Sequence, residues 1–418
     1  MTSERPFHLV YVTATMPFGP EEQFLVAEAR ELVRQGCRIL IVPRSPKGRL
    51  FNQDAAALLH CSLRRSLLSP SVLVLGVLEG LKHPRATARV LVLLAKSRGV
   101  SVAVRNALVV AKGLWLSRVA RRWHADHIHV HWGRTTATMA LIASEMSGIP
   151  WSLTLHRNDI AEPNLLTIKM HKASFTRFIS RSGMDIARSV GALGPPDRLC
   201  VIHMGVHLPE SSSAAIDDRT EFLALCPAHL YPVKGHRFLI EAISLLKDRG
   251  LACSLWIAGR GHLLETLRQQ VVALGLEDRI KFCGPVPHER VLEWYAERRV
   301  DVVVLPSVDL GRHEHEGIPV SLMEAMAYGI PVVSTATGGI PELIGEGAGL
   351  MVRPEDPKAL ADALEQLMLD PGLRLQVGSA GRRRIQSEYT IEGVTADLLA
   401  RMRADPSRCI SVRLPGRV

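Results

Sequence analysis

The chain has 418 residues, 47% of them hydrophobic and 22% charged, and its formal net charge is +10. This length suffices for two or three domains with cores of their own, and the composition excludes a disordered or fibrous protein. Seven scattered cysteines, mostly in apolar runs, indicate reduced core thiols and a cytosolic compartment. The first residues lack the pattern of a signal peptide, and no uninterrupted apolar run reaches the roughly 18 residues of a spanning helix, so we expect neither.

The first half of the chain alternates short apolar stretches with helical periodicity. A predicted strand at 7–13, a helix ending at Gly36 and a strand at 37–45 make a β-α-β unit. The alternation resumes with predicted strands at 127–132, 151–156, 175–180 and 198–204, with helices between them. Continuous apolar strands alternating with helices favour a parallel sheet covered on both faces.

Between these parts, residues 60–122 hold the whole excess of positive charge. Twelve lysines and arginines stand against one acid, Glu79, and several apolar runs separate them. Basic helices with an apolar face suit an anionic membrane surface, whereas a charge run alone more often forms a solvated face over a core. Because charge and apolarity coincide here, we predict that this segment contacts a membrane.

The second half repeats the alternating pattern after a polar, aperiodic segment at 209–220, which we predict to be a linker. Helical patterns at 357–369 and 372–399 close the chain before a basic tail that begins at 403. The sequence therefore predicts an α/β protein with two doubly wound, Rossmann-like domains.

The stretch EGIPVSLMEAMAYGIPVV at 316–333 places two carboxylates, Glu316 and Glu324, around the start of a predicted helix. Pro319 suits the first helical turn, and the next three backbone N–H groups would lack intrahelical partners. Such N–H groups and the helix dipole bind anions. A carboxylate beside a diphosphate is tolerable where it accepts hydrogen bonds from neutral hydroxyls, and a ribose diol offers two. We therefore predict phosphates at the helix start, a ribose at Glu324, and Glu316 directed beyond the phosphates.

Residues that follow other predicted strands extend this site. Lys234 and Gly235 come directly after a strand-like segment, where an ammonium can meet a phosphate. His156 ends a predicted strand, and Gly19 lies in the loop after the first strand. Doubly wound sheets bind ligands at these carboxyl ends. The glycine turn AGRGH at 258–262 is weak support by itself.

These pieces occur in one order along the chain: MPFGPEEQFLVAEARELVRQG, HIHVHWG, SLTLHRNDI, KGH, IAGRGH, FCGPV, LPS and EGIPVSLMEAMAYGIPVVSTATGGIPELI. Together they resemble a group 1 glycosyltransferase of family 4, with the E-x7-E signature at Glu316 and Glu324. The resemblance covers about residues 7–390, is weakest at 50–125, and is most similar to the exopolysaccharide and colanic acid type. It implies the GT-B fold, in which two Rossmann-like domains face across a cleft and C-terminal helices cross back.

The resemblance also implies which domain holds which substrate. It assigns the acceptor to residues 1–208 and the nucleotide-sugar donor to residues 221–385, with 386–418 as crossover helix and tail. The implied reaction is a retaining, metal-independent transfer without a cofactor, in which groups that stabilise the departing diphosphate carry much of the rate.

Site residues carried over from the family fall into three sets. The catalytic set is His156, Glu316 and Lys234. The set implied to bind the donor is Gly19, His229, Lys234, Gly235, Gly259, Arg260, Gly317, Ile318, Pro319, Val320, Ser321, Leu322 and Glu324. The set implied on the acceptor side is Asp159, His131 and His315.

One position departs from the family pattern. The family usually has an arginine five residues before this lysine, and here that position is His229. A neutral imidazole binds a diphosphate less well than a guanidinium does. Either His229 acts in its protonated form, or another cation such as Arg260 substitutes for it, or activity is low.

Two histidine patterns raise the question of a metal. His127, His129 and His131 alternate on one predicted strand, and RHEHEG at 312–317 offers several ligand atoms. No carboxylate or cysteine accompanies the three histidines in the sequence, and the enzymes that the chain resembles have histidines there without metal. We therefore expect no metal site.

The sequence as a whole predicts a cytoplasmic enzyme, peripheral on the inner face of the cell membrane. It would move a sugar from a UDP- or GDP-sugar to a lipid-linked or polysaccharide acceptor. A sugar-nucleotide epimerase of the same fold and a catalytically weak scaffold are the alternatives. No nucleic-acid partner is expected, because the basic region is apolar and only 5% of the chain is aromatic.

Overall fold

The computed structural model describes residues 5–19, 22–50, 53–161, 164–210, 222–311, 314–345 and 347–404. The chain divides into two compact units, each built on a six-stranded parallel sheet. Met1–His203 and Val394–Val418 form the first unit, and Met204–Gly393 form the second. The two predicted doubly wound domains are therefore confirmed. The linker predicted at 209–220 lies, from residue 211 onward, outside the described residues.

The first sheet has the strand order β2-β1-β3-β4-β5-β6, with every neighbouring pair parallel. Its strands are β1 (Phe7–Thr13), β2 (Cys37–Pro43), β3 (His127–His131), β4 (Trp151–Leu155), β5 (Phe175–Phe178) and β6 (Leu199–Val201). Its helices are α1 (Phe24–Arg34), α2 (Gln53–Ala57), α3 (Pro70–Lys82), α4 (Pro84–Ala95), α5 (Val100–Ala107), α6 (Val110–Arg122), α7 (Thr135–Ser147), α8 (Arg157–Ala161), α9 (Leu166–Lys172) and α10 (Arg181–Ser189). Strands β3, β4 and β5 are buried along their whole length, as a sheet covered on both faces requires.

The basic segment 60–122 forms α3 to α6 and divides into a buried part and an exposed part. Helix α6 is a core helix: a Cβ built on Gly113 would lie 2.7 Å from the side chain of Ile142 on α7. The stretch Val100–Arg122 has the length and apolarity of one membrane crossing, and 44% of its most apolar window is buried inside this unit. Helices α3, α4 and α5 instead expose many apolar and basic side chains.

The second sheet has the order β12-β11-β10-β7-β8-β9, and all its pairs are parallel. Its strands are β7 (Phe222–Pro227), β8 (Cys253–Ala258), β9 (Ile280–Gly284), β10 (Val302–Leu305), β11 (Val332–Thr335) and β12 (Leu350–Val352). Its helices are α11 (His236–Asp248), α12 (Leu264–Ala273), α13 (His288–Ala296), α14 (Val320–Ala327), α15 (Ile340–Ile344), α16 (Pro357–Leu369) and α17 (Pro371–Glu388). From its β9 edge the sheet has the 3-2-1-4-5-6 order of dinucleotide-binding folds.

The single helical pattern predicted at 372–399 is two helices, α17 and α18 (Ile391–Arg403). The break lies at Thr390, which pairs with Val206 in an isolated parallel bridge. Helix α17 stays in the second unit because it packs closely on the end of α14: a Cβ on Gly378 would lie 2.2 Å from the Gly329 carbonyl oxygen. Helix α18 spans the point at which the chain passes back to the first unit.

Candidate active site

Each sheet has one topological switch point, where a ligand is expected beyond the carboxyl ends of the strands. In the second unit the strand order reverses between β7 and β10, and in the first unit it reverses between β1 and β3. Most of the predicted site residues lie in loops that follow these strands or their neighbours.

In the second unit, Lys234 lies in the loop after β7, and its ammonium group makes an ion pair with the carboxylate of Glu316, which lies between β10 and α14. Both side chains are part-buried, with exposures of 19% and 16%. Gly235, the next residue, has φ +66°, and a Cβ there would lie 1.9 Å from the carbonyl oxygen of Pro306 after β10. The backbone of the KGH segment therefore lies against the end of β10, which brings Lys234 to the switch point.

Two glycines after β11 fix the position of Glu316. Gly338 has φ +55°, and a Cβ there would lie 1.8 Å from the carbonyl oxygen of Glu316. The same oxygen accepts hydrogen bonds from the Gly339 N–H (3.3 Å) and from Nδ1 of His315 (2.8 Å). Only a residue without a side chain permits this approach. His315 is thus used to hold the backbone of the loop in which Glu316 lies.

The start of α14 differs in one respect from the prediction. Pro319 is the N-cap residue, not the first helical residue, and its carbonyl oxygen accepts from the N–H groups of Leu322 and Met323, both at 3.2 Å. The N–H of Leu322 therefore has a partner inside the turn. Within the described chain, the N–H groups of Val320 and Ser321 remain as the unpaired donors of this helix start.

Buried polar side chains without partners cluster along the same edge of the second sheet. Ser307 follows β10, Thr337 follows β11, and His236 begins α11, and all three are at most 4% exposed. Among the described residues, nothing hydrogen-bonds to the hydroxyls of Ser307 and Thr337 or to either ring nitrogen of His236. Native proteins satisfy nearly all buried polar groups with protein, ordered water or a ligand. Burial and the charge of Lys234 lower the pKa of His236 to about 4, so its ring is neutral.

Glu324, on α14, accepts a hydrogen bond from Nε2 of His288 at 2.7 Å. His288 begins α13 and is 44% exposed, whereas Glu324 is 16% exposed. Burial and the negative charge of Glu324 raise the pKa of Tyr295 well above its usual range. The carboxylate of Glu324 thus acts on the buried Tyr295 through its charge and meets the exposed imidazole of His288.

His229, the residue that replaces the usual arginine, lies exposed after β7. Its Nδ1 is 3.3 Å from the carbonyl oxygen of Arg260, and this oxygen also accepts from the N–H of Leu230. The loops after β7 and β8 are therefore joined through their backbones, with Gly259 packed against the Ala228 carbonyl oxygen. The rings of His229, Tyr231 and His262 follow one another with centroid separations of 5.6 and 5.4 Å.

In the first unit, His156 directly follows β4 and is 7% exposed. Its ring packs against two aromatic side chains that also contact each other, with the Trp132 centroid at 4.3 Å and the Phe24 centroid at 5.5 Å. Trp132 has φ +75°, a left-handed conformation that is unfavourable for a residue with a bulky side chain. Strain of this kind persists where surrounding contacts enforce it, and it concentrates at functional sites.

The loop after β1 is built around a carboxylate that the sequence analysis did not single out. Glu22 accepts hydrogen bonds from the backbone N–H groups of Ala14 (3.0 Å), Thr15 (2.5 Å) and Met16 (2.7 Å). It also accepts from the indole N–H of Trp132. Gly19 lies further along this loop with φ +78°, and its N–H donates to the Arg49 carbonyl oxygen. Glu22 thus ties the loop after β1 to the strained residue after β3.

Behind His156 lies a fully buried polar cluster. Glu28 on α1 accepts from Arg177 on β5 at 2.7 Å, from the Tyr11 hydroxyl at 2.8 Å and from Nε2 of His131 at 3.0 Å. Nδ1 of His131 lies 3.2 Å from Nε2 of His156. Burial alone would raise the pKa of the Glu28 carboxyl, but the charge of Arg177 and the contacts with His131 outweigh it and hold that pKa well below its usual range. Glu28 is therefore an ionised acceptor.

A second buried pair supports the neighbouring loop. Asp159 is 1% exposed and accepts from the backbone N–H of His156 at 3.1 Å. Lys169 is fully buried and donates to three carbonyl oxygens, those of Gly133, Arg134 and Asn164, at 2.7–2.8 Å. Burial raises the pKa of Asp159 to about 6 and lowers that of Lys169 to about 7. These two side chains hold the ends of β3 and β4 together.

The three predicted acceptor-side residues are all buried. His131 is 0% exposed, Asp159 is 1% exposed and His315 is 8% exposed, and each has its own partner within its unit. Their observed contacts are with protein groups that shape the loops next to His156 and Glu316. Sequence reasoning missed Glu22, Glu28, Arg177 and Lys169. The one available signal was a charged residue inside an otherwise apolar pattern, such as the arginine in FTRF.

Glu28, His129 and His131 could also hold a metal ion by distance, since their ligand atoms lie within 4.8 Å of one another. Their chemistry argues against it. Both nitrogens of His129 are hydrogen-bonded to the hydroxyls of Ser152 (2.8 Å) and Thr154 (3.0 Å), and Arg177 already neutralises Glu28. A cation would have to displace these partners and lie beside a guanidinium.

Comparison with known proteins links these features to one family. Residues 210–384 match the family model for glycosyl transferases group 1. The amylovoran biosynthesis glycosyltransferase AmsK of Erwinia amylovora is 32% identical over 56% of this chain and 59% of that protein. The putative colanic acid biosynthesis glycosyltransferase WcaL of Escherichia coli is 33% identical over 50% of this chain and 52% of that protein. The matched part thus spans little more than half the length of these relatives.

Among solved structures, HepE of Anabaena in complex with UDP superimposes with a TM-score of 0.69 over 94% of this chain and 99% of that one, at 18% identity. At this level of identity the likeness establishes the fold alone. The fold is GT-B.

Proposed function

We propose that this chain, whose residues 210–384 are a group 1 glycosyltransferase domain within a GT-B fold, transfers a sugar from a nucleotide-diphosphate sugar to an acceptor at a membrane surface. The donor belongs to the second unit and the acceptor to the first. The transfer is retaining and needs no metal, and the acceptor is lipid-linked or a growing polysaccharide. The match to AmsK and WcaL, named for polysaccharide biosynthesis, supports this acceptor class.

The assignment of the donor to the second unit rests on the polar groups at one edge of its sheet. Lys234 follows β7, and Ser307 and the N–H groups of Val320 and Ser321 follow β10, the two strands of the switch point in a sheet with dinucleotide-binding strand order; Thr337 follows the neighbouring β11. Among the described residues, these N–H groups and the hydroxyls of Ser307 and Thr337 have no partner. These groups are donors suited to phosphate oxygens. A diphosphate carries more charge than the Glu316 carboxylate and would share the ammonium group of Lys234 with it. The UDP complex of the structurally similar HepE accords with this assignment.

In the proposed reaction, Lys234 and the start of α14 stabilise the negative charge that develops on the leaving diphosphate. Glu324 accepts from the ribose hydroxyls in place of the exposed His288. Glu316, held by the Gly338 turn, is directed at the sugar. His156 is the proposed contact of the first unit with the reacting sugar.

A thermal-shift panel tests the donor site. UDP, GDP and ADP are each added to wild type, Lys234→Ala and Lys358→Ala, the last removing an exposed lysine on α16 as a matched control. We expect one nucleotide to raise the melting temperature, because a ligand at a hundred times its Kd stabilises the native state by about 2.7 kcal/mol. The shift should shrink in Lys234→Ala and persist in Lys358→Ala. No shift with any nucleotide, or an undiminished shift in Lys234→Ala, would remove the donor site from this unit.

The outer faces of α3, α4 and α5 support membrane attachment. On α3, the exposed residues Leu73, Val74, Val77, Leu78 and Leu81 recur at helical spacing on the side away from its buried face. Exposed basic side chains accompany them along these helices: Lys82, Arg85, Arg89, Lys96, Arg98 and Arg105.

The single acid of the segment does not weaken this positive surface. Glu79 is 2% exposed and is paired inward with Arg121. The outer surface of α3 to α5 therefore combines apolar and cationic groups, and no acidic residue of the segment 60–122 lies on it. Such a surface suits an anionic lipid surface.

Vesicle flotation tests this attachment. The protein is mixed with vesicles of phosphatidylcholine alone or with added phosphatidylglycerol, at low and high salt. We expect flotation with the anionic vesicles only, weakened by salt and by the triple change of Val74, Leu78 and Leu81 to Ser. The change of Leu369 and Leu375 to Ser, equally exposed residues of the second unit, is the control. Equal flotation of both variants would exclude α3 as the membrane-facing surface.

A further inference from the structure

We infer that His131 is a positioning residue: backed by Glu28, it fixes the tautomer of His156 so that Nε2 carries the proton and Nδ1 is a hydrogen-bond acceptor for a sugar hydroxyl. The inference rests on the proposed function, because it specifies what His156 offers the substrate. It gives the buried cluster of the first unit a role in the reaction.

The buried ring of His131 contacts Glu28 and Tyr11. Its Nε2 lies 3.0 Å from Oε1 of Glu28 and 2.8 Å from the Tyr11 hydroxyl. Glu28 is ionised and can only accept. If Nε2 carried no proton, its lone pair would face the carboxylate lone pairs at hydrogen-bond distance. His131 therefore carries a proton on Nε2, and Tyr11 donates its own proton to Glu28.

The net charge of the buried cluster determines the protonation of His131. Glu28 and Arg177 are both 0% exposed and their charges cancel. A neutral His131 leaves the cluster without net charge, whereas an imidazolium would leave a buried positive charge, which is costly. Neutral His131 with its proton on Nε2 has a bare Nδ1, which can only accept.

The contact with His131 fixes the tautomer of His156. Its Nε2 lies 3.2 Å from the bare Nδ1 of His131, so His156 must donate from Nε2. Burial, with a smaller contribution from the charge of Arg177, lowers the pKa of His156 well below its usual range, so the ring is neutral. Its Nδ1 then holds a lone pair. Among the described residues none is hydrogen-bonded to that atom. His156 therefore accepts a hydrogen bond from the substrate and does not transfer a proton.

The groups around the ring agree with this arrangement. Trp132 and Phe24 cover the imidazole and fix its plane, and Glu22 holds the Trp132 indole. Besides burial, Arg177 on β5 and Glu28 on α1 act on the pKa of His156. The orientation of His156 is thus set by packing, and its tautomer by a single neighbour.

Two substitutions of His131 separate this role from a structural one. In Asn the side-chain oxygen can take the position of Nδ1 and still accept from His156, but the contact with Glu28 is lost. In Gln the amide can still donate to Glu28, but nothing accepts from His156. We expect His131→Asn to stay within about threefold of wild-type kcat and His131→Gln to lose at least about tenfold, since small errors of orientation are costly in a transfer reaction. The KM for the donor should change little in either variant.

Melting temperature and pH profile accompany the kinetics. Because His156 is neutral throughout, the wild-type profile should show no step from this residue between pH 6 and 8. Equal kcat in the two variants, or a loss in each that follows its loss of melting temperature, would overturn the inference. Inactivity of the wild-type protein with every donor and acceptor would instead count against the proposed function.

If neither variant folds, the wild-type protein still decides. Nitrogen NMR of protein labelled with 15N-histidine reports which ring nitrogen is protonated, and the His156 signals are those absent from His156→Gln. A proton on Nε2 and none on Nδ1 is the expected result. A proton on Nδ1 would overturn the inference.

Discussion

One acid–base pair in each unit lies near the proposed site residues, and the two pairs differ in their exposure. Glu28 and Arg177 of the first unit are 0% exposed, whereas Lys234 and Glu316 of the second unit are 19% and 16% exposed. The buried pair can have no partner except its neighbours, so it serves the fold and the orientation of His156. The part-exposed pair can exchange partners when a charged ligand arrives. The same residue chemistry therefore stabilises one unit and prepares the other for binding.

The largest expected effect is on the buried pair. Replacing Glu28 by Ala leaves the charge of Arg177 buried without compensation, which should lower the free energy of unfolding by about 3–5 kcal/mol. Urea denaturation measures it. Glu316→Gln, which breaks the part-exposed pair, is the matched control and should cost no more than about 1 kcal/mol. Equal losses would mean that exposure does not distinguish the two pairs.

The next effect concerns activity at the part-exposed pair. Lys234→Ala should lower kcat/KM for the donor by about a hundredfold, because a cation that meets the leaving diphosphate is lost. Its free energy of unfolding should stay within about 1 kcal/mol of wild type. Steady-state kinetics with the nucleotide-sugar measures the first quantity and urea denaturation the second. A large loss of stability with unchanged kinetics would reverse the roles assigned here.

The stability of the first unit should depend on pH through Asp159. Burial raises the pKa of Asp159 to about 6, above its value in the unfolded chain. Between these two pKa values the folded protein therefore binds more protons than the unfolded chain. The stabilisation that comes from protonated Asp159 is present at low pH and is lost as the pH rises through about 6. The Asn side chain has no carboxyl proton to lose, so Asp159→Asn should not show this loss. Its free energy of unfolding relative to wild type should rise by about 2 kcal/mol between pH 4 and pH 7. A constant difference across that range would contradict the raised pKa.

The smallest effect tests the unusual residue of the second unit. His229→Arg supplies a permanent cation at the position where the family usually has one. The donor KM should fall about three- to tenfold, as expected for an added charge-assisted hydrogen bond to phosphate. His262→Arg, on the neighbouring exposed ring, is the control. An unchanged KM in His229→Arg would indicate that this position does not face the diphosphate.

Repeated, continuous signals in the chain were enough to predict both sheets. Apolar strands alternating with helices predicted two doubly wound domains, and the ordered motifs predicted the GT-B fold; both are confirmed. The predicted group 1 glycosyltransferase family is matched by its family model over residues 210–384. The helix break at Thr390 was missed, because it depends on pairing with Val206, which lies far away in sequence.

The sequence also placed Lys234 after one strand and Glu316 after another, and in the structure these two side chains form an ion pair. Only the tertiary structure decided how each charge is balanced. Glu28 and Arg177 are 149 positions apart, and neither local spacing nor composition shows that they pair behind His156. Burial, which turns a surface charge into a fixed hydrogen-bond acceptor, is a property of the packed fold and of no short stretch of chain.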